Sequence, residues 1–472
     1  MIEYNYSQRK RKVKRKERKV KDLTKGNIYK TFFLFGFPLV ISGLLSISFN
    51  TIDKVIVGKF LGTRALAALG ATSPLITFVS SIIWGYEVGV AIYTAKLFGA
   101  GDYKRLKSVY YSNLLFVFFL ATAIGLSLLV FRDPIFDFLK IEKSLRKTAF
   151  EYFSVYMGGL FFLNATVIGS HVLTSLGISG YPMCISIISA VINLVGNIVS
   201  AIVFDWGLLG IAGFSVFAAL VSNIAYYMKL GNCFQKLGVG RVKAELSFRH
   251  IKDTCSYAIP NTLQQGILYF SSLMVSPIVN RLGVAASASY SVVSSVQDIS
   301  MQVYQNSTRC VVNYTAQCVG EEKYENINRG VFVGLLQSTA FALPFILSTM
   351  LFAEPICGLF LKSDADALTK EYSYLFARRY FPFMFFNLIC NVFHALFKGV
   401  KAPAHLIGGT LIGTSSRIGL SYLLLGKGIK GFYTAWVLAW VIETVFSVVF
   451  YFVGLWKPQR KENRKQKQEI TA

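Results

Sequence analysis

Asp53 stands at the far end of a long apolar run, inside the stretch FNTIDKVIVGKFLG. Holding an ionised carboxylate in hydrocarbon costs about 3 kcal/mol even on insertion scales, so an acid placed there is a functional candidate by default. Glu87, Asp298 and Glu443 are further acids in apolar segments, and Arg309 and Arg417 are bases in such segments. Amides recur as well. Asn193 and Asn197 are spaced i, i+4 and share one helix face, while Asn50, Asn164, Gln264, Asn306 and Asn387 must each find a partner or line water. The patterns of covalent chemistry are missing: there is no HExxH, no serine–lysine dyad, no pair of intramembrane aspartates and no Walker phosphate loop. The seven cysteines form no CxxC, and the four histidines show no ligand spacing. No catalytic centre, no metal and no cofactor are expected.

Such groups need a scaffold that holds them in lipid. Of the 472 residues, 54% are hydrophobic and 15% charged, with a mean hydropathy of +0.50. Soluble domains carry about 25% charged residues, so the composition is that of a polytopic membrane protein. A helix needs about 20 apolar residues to cross the hydrocarbon core. Twelve such segments begin near residues 31, 70, 108, 149, 183, 209, 254, 285, 330, 370, 403 and 430. The alternating ten-residue strands of a β-barrel are absent. The net charge of +25 is concentrated at the ends, with twelve Lys or Arg in residues 1–30 and six from Lys457 to Lys467. These runs abut spans, so they read as topology signals and contacts for anionic lipid headgroups rather than for nucleic acid. The long N-terminal basic run, followed by a span-length apolar segment, is not that of a cleavable signal. Basic residues from Lys229 to Lys252 fall between spans six and seven, and both termini are predicted to be cytoplasmic at the cell membrane.

The chain also repeats itself. Pro38 matches Pro260, Leu61-Gly62 matches Leu282-Gly283, and AKLFGAGDYKRLK from Ala95 aligns with AQCVGEEKYENIN from Ala316. Glu151-Tyr152 matches Glu371-Tyr372, Pro182 matches Pro403, and Gly207 and Gly210 match Gly428 and Gly431, all at offsets of 220–222. One such match is noise, but a series in register over most of each half indicates duplication. Six spans per half is an even number, so both halves start on the same face. The predicted fold is therefore an all-α polytopic membrane protein, its twelve helices forming two six-helix lobes related by a pseudo-twofold axis along the membrane normal. Its parts are a basic tail (1–27), an N-lobe (28–232), an interlobe loop (233–252), a C-lobe (253–455) and a second basic tail (456–472). Lobe pairs of this kind rock around a site at their interface, and the architecture alone points to a transporter.

The segment NTIDKVIVGKFLGTRALAALGATSP from Asn50 resembles the first two helices of the MATE (multidrug and toxic compound extrusion) transporters. FGAGDYKRLK, LTSLGISGYPM, INLVGNIVSAIVFDWGLLGIAG and RIGLSYLLLGKGIKG resemble later passages of that family, in order and over roughly residues 28 to 455. The resemblance implies two six-helix lobes, a cavity that opens alternately, and export driven by inward H⁺ or Na⁺. In the bacterial branch whose helix-one acid binds the coupling cation, the acid follows a kinking proline and faces polar residues of helices five and six. Asp53, fifteen residues after Pro38, takes that place here, with Asn193, Asn197 and Ser215 as its partners. Where that branch often has a second acid on helix five, this chain has Asn197, which leaves one titrating group and favours H⁺ over Na⁺. The alternative for Asp53 is an interfacial pairing with Lys54, Lys59 or Arg64.

Glu87 and Arg309 are within one residue of equivalent depths on helices two and eight, as a charge pair or as two cavity charges. Asp298 and Glu443 are candidates for a second-lobe cation site. Another branch of the family carries an acid on helix seven where PNTLQQGILYF has Gln264 and Gln265, so that site looks absent. Asn50, Asn164, Gln264 and Asn387 are candidates to line the cavity or the lobe interface. The expected cargo is a small organic molecule, amphiphilic or cationic, carried by a monomer. The competing reading is a flippase-like exporter of lipid-linked or amphiphilic metabolites from the same superfamily.

Overall fold

The computed structural model describes residues 22–138, 141–204, 206–361, 365–454 and 456–457, and within these the main chain alone at residues 48–52, 54, 55, 63, 74 and 138. Every described element is a helix. The first six long ones are α1 (Ile28–Ile56), α2 (Gly62–Gly99), α3 (Tyr103–Val130), α4 (Arg146–Gly158 and Leu160–Ser175), α5 (Gly180–Ile202) and α6 (Gly207–Lys236). The second six are α7 (Phe248–Arg281), α8 (Val284–Gly320), α9 (Asn326–Leu351), α10 (Ala367–Leu375 and Met384–Gly399, joined by π and 3-10 turns), α11 (Pro403–Leu423) and α12 (Gly428–Val453). Short helices, Arg132–Phe138 and Ala353–Gly358, precede α4 and α10 at equivalent places in the two halves.

The repeated residues mark the same joints in both halves. Gly62 and Gly283 sit at φ of 83° and 98° where α2 and α8 begin, and Gly207 and Gly428 at 57° and 62° where α6 and α12 begin. Only glycine takes these left-handed values without strain. Pro38 and Pro260 lie inside α1 and α7, where each removes one helical N–H donor. The Asp102 side chain caps α3 by accepting from the Arg105 N–H at 3.1 Å, and Ser247 caps α7 through the Arg249 N–H at 3.2 Å. The two segments of α4 meet at 46° beside Gly159, where a Cβ would collide with Val216 of α6.

Among the described residues, eight helices are long and apolar enough to span a membrane, and the bent α4 makes a ninth. The other three long helices are α7, α8 and α11. Polar side chains such as Asn261, Gln264, Ser300, Asn313 and Thr410 are buried on them, packed against other helices rather than facing lipid. Large apolar side chains cover the outward faces instead, among them Phe119, Ile188, Phe270 and Phe352, as a lipid surround requires. The molecule is a multi-pass membrane protein of twelve helices in two lobes.

Each lobe has its own core, but the first helices are exchanged. Phe32, Phe35 and Leu39 of α1 belong to the apolar cluster of the C-lobe, and Tyr257 and Ala258 of α7 to that of the N-lobe. Thus α1 packs on α8 and α5, and α7 packs on α2 and α11, in mirrored fashion. Glycines allow the crossings. A Cβ at Gly85 or Gly89 would strike the α7 backbone at Thr262 or Ala258. At the tail-bearing end, Gly99 abuts the Gln317 backbone and its repeat partner Gly320 abuts the Lys96 carbonyl. That end is sealed by backbone against backbone. The interlobe loop is docked there as well: Lys107 Nζ donates to the carbonyls of Val239, Gly240 and Val242 at 3.1, 2.9 and 2.8 Å.

Candidate cation and substrate site

Asp53 lies near the end of α1 remote from the tails, half-buried against α5. Asn197, fully buried, donates from Nδ2 to Asp53 Oδ1 at 2.7 Å and to Asn193 Oδ1 at 3.0 Å. Asn193 in turn donates to Ser215 Oγ at 2.8 Å, and Ser215 to the Ile211 carbonyl at 3.0 Å. The i, i+4 spacing on α5 stacks the two amides on one face, and Ser215 arrives from α6. The four polar residues grouped by the sequence therefore form one continuous chain of hydrogen bonds. Asn197 Oδ1 has no partner among the described residues. It is a second buried acceptor beside the carboxylate.

Asp53, Asn193 and Ser215 line a cavity of about 770 Å³, within the size range of small-molecule sites. It lies within the N-lobe and is closed on one side by Gln265 and Tyr269 of α7. Its depth runs from the level of Asp53 down to Glu87 and Tyr226. Glu87 is completely buried, and neither of its carboxylate oxygens has a partner among the described residues. Trp84, Tyr152, Tyr156 and Tyr226 add aromatic surface. No lysine or arginine is among the described lining residues, so the cavity is acidic and aromatic.

The other sequence candidates divide. Asn164 lines the cavity and donates to the Leu160 carbonyl at 2.7 Å. Asn50 is on α1, but its side chain is outside the described residues. Gln264 turns away into the C-lobe, 3.3 Å from His394 Nδ1 and from Thr410 Oγ1, and it is Gln265 that reaches the cavity. Arg309 is absent from the lining, and no ion pair joins it to Glu87 among the described residues; its nearest polar partner is Asn306 Oδ1 at 3.5 Å. Asp298 is exposed on α8, outside the lining. Asn387 is internal to the C-lobe, accepting from the Tyr304 hydroxyl at 2.5 Å and from Asn391 at 3.0 Å. Pro38 lies inside the continuous α1, four turns before Asp53. Sequence reasoning missed the tyrosines of α4 and chose Gln264 on α7 where Gln265 and Tyr269 line the cavity; the i, i+4 spacing of Tyr152 and Tyr156 is the signal that was there to read.

Known proteins resemble this one in sequence and in shape. The MatE family model matches residues 38–199 and again 260–423, once per lobe. The probable multidrug resistance protein YoeA of Bacillus subtilis is 24% identical over 351 residues, covering 72% of this chain and 74% of that protein. The FAD transporter of Shewanella oneidensis is 22% identical, covering 68% and 72%. Among solved structures, a multidrug resistance MATE family transporter in an outward-facing conformation superposes with a TM-score of 0.84 at 19% identity, over 95% of this chain and 99% of that one. A MOP superfamily transporter from Pyrococcus furiosus, whose binding pocket is described as of reverse polarity, gives 0.84 at 18% identity, over 91% and 96%. With the family model matching both halves and the twelve-helix, two-lobe fold in place, the chain belongs to the MatE family of membrane transporters.

Proposed function

We propose that the protein is a secondary exporter of small organic cations and amphiphiles, driven by protons taken up at Asp53. The observation that carries this reading is the Asp53 carboxylate on the wall of the cavity, held by Asn197 at 2.7 Å. An amide can donate to the carboxylate, or turn and accept from the carboxylic acid, so the site accommodates both protonation states. A sodium ion would need several oxygen ligands, whereas the contact made to Asp53 is an N–H donor. The names of relatives such as YoeA support multidrug cargo. The acidic, aromatic lining suits cations through charge and cation–π contact. It argues against lipid-pyrophosphates, and against an anionic flavin nucleotide such as the Shewanella relative carries.

Transport follows from the two lobes. With the tails in the cytoplasm, the sealed end at Gly99 and Gly320 is the cytoplasmic one, and the cavity belongs to an outward-facing state. Proton binding at Asp53 removes the charge that holds it in a hydrated cleft, which favours collapse of that side and opening of the other. The test is efflux of a fluorescent organic cation from proteoliposomes. A pH gradient is expected to drive it and a sodium gradient alone is not; the reverse pattern rejects proton coupling.

A further inference from the structure

One buried cluster in the C-lobe plays no part in this mechanism. Cys390 and His394 are spaced i, i+4 on α10, and Glu443 and Ser447 are spaced i, i+4 on α12. Each pair therefore presents both side chains on one helix face, and the two faces meet. Cys390 Sγ is 3.5 Å from His394 Nε2, and Ser447 Oγ is 3.4 Å from that sulfur and 3.5 Å from that nitrogen. Glu443 Oε1 is 3.9 Å from His394 Nε2, and the sulfur, nitrogen and carboxylate atoms all lie within 4.8 Å of one another. A tetrahedral zinc ion with bonds of about 2.3 Å to sulfur and about 2.0–2.1 Å to nitrogen and oxygen places its ligand atoms about 3.3–3.6 Å apart. The Cys390–His394 pair already has that spacing, and the Glu443 carboxylate, 3.9 Å from Nε2 and within 4.8 Å of the sulfur, has a short way to close.

We infer that Cys390, His394 and Glu443 form a binding site for a borderline-soft divalent metal such as Zn(II), with Ser447 or a water as fourth ligand. The surroundings fit that role. Gly409 and Gly413 of α11 form the floor: a Cβ at Gly413 would come 2.5 Å from the Glu443 carboxylate, and one at Gly409 would come 3.0 Å from His394 Nε2. The small residues thus keep clear the space the ligands enclose. Gln264 stands behind the imidazole, 3.3 Å from Nδ1. Its Oε1 has no partner among the described residues. Turning the amide hands that acceptor to the Nδ1–H and leaves Nε2 its lone pair, the arrangement that ligating histidines adopt. Charge agrees as well. Among the described residues no lysine or arginine forms an ion pair with Glu443, whose close ionisable neighbours are His394 at 3.9 Å and the Cys390 thiol. Arg417, one turn past Gly413, lies over the Trp436 ring at 4.7 Å and 3.4 Å from the Tyr290 hydroxyl, and it adds a positive charge in the neighbourhood of Glu443 without pairing with it. A dication balances one thiolate and one carboxylate, and the thiol proton leaves to solvent on binding.

Cobalt(II) reports the site directly, because a thiolate ligand gives a near-ultraviolet charge-transfer band and a tetrahedral field gives intense visible bands. Titrating the purified full-length protein in detergent is expected to saturate both at about one Co(II) per chain, with Zn(II) displacing it. Cys390→Ser is expected to abolish the charge-transfer band, and His394→Gln and Glu443→Gln each to weaken binding at least about tenfold. Gly413→Ala, which keeps all three ligand residues but brings a Cβ to 2.5 Å from the Glu443 carboxylate, is expected to do likewise. If Cys390→Ser does not fold, the Glu443→Gln comparison decides. No band in the wild-type protein, or a band and stoichiometry unchanged in Cys390→Ser or Glu443→Gln, overturns the proposal.

Discussion

Asp53 and Glu87 are both acids on the cavity wall, yet their surroundings set them apart. Asp53 has a hydrogen-bonded amide relay behind it, which supports a group that changes protonation on every cycle. The Glu87 carboxylate has no hydrogen-bond partner among the described residues, and a buried carboxylate without one is costly; under the proposed function an organic cation in the cavity would supply the missing charge. Glu87→Gln is therefore expected to raise KM about tenfold or more for cationic cargo and to leave neutral cargo nearly unaffected, measured as initial efflux rates. Equal effects on both would remove Glu87 from substrate recognition. Asn197→Ala strips from Asp53 the donor it has among the described residues and opens the relay, a loss of about 1–3 kcal/mol. It is expected to cut pH-driven efflux strongly while the expressed, folded yield is retained. Wild-type efflux in that variant would mean that Asp53 works without its amide.

The helices explain how these side chains are held and how they are released. Gly99 and Gly320 let α2 and α8 touch at the sealed end, and a larger residue there costs about 1–3 kcal/mol of overpacking in that state alone. Gly320→Val is therefore expected to shift the population toward opening at the tails. The check is the rate at which a cysteine in place of Ala100 reacts with a polar maleimide, compared with the same cysteine beside native Gly320. Unchanged reactivity would mean that the crossing does not act as the seal. Much of this was legible in the sequence, because the repeated glycines and prolines mark joints whose backbone angles few other residues accept. The hydrogen-bonded group around Asp53 was legible too, since Asn193 and Asn197 lie one turn apart. What escaped is what depends on rotation about a helix axis or on contacts between distant helices. Gln264 and Gln265 are neighbours, and only the packing of α7 decides which faces the cavity. Cys390 and Glu443 are 53 residues apart, so their meeting has no signature along the chain.

Among the described residues each lobe has its own large core, the first helices are exchanged, and an acidic cavity stands away from the end where Gly99 and Gly320 cross. The polarity of α7 and α8 is a consequence of that arrangement, because they pack against helices of the other lobe, and that of α11 goes with its packing on α7 and α12. Rocking of one lobe against the other is expected to separate Lys104 of α3 from Glu322 beyond α8, both exposed at the sealed end. Spin labels at those positions are expected to show a longer distance in Asp53→Asn, which mimics the protonated state, than in wild-type protein at alkaline pH. An identical distance distribution would uncouple Asp53 from the movement of the lobes. The most direct measurement is efflux of an organic cation from proteoliposomes under an imposed pH gradient, wild type beside Asp53→Asn at equal reconstituted amounts. The account requires gradient-driven efflux in the wild type and only passive leak in the variant; a variant that still answers the pH gradient contradicts it.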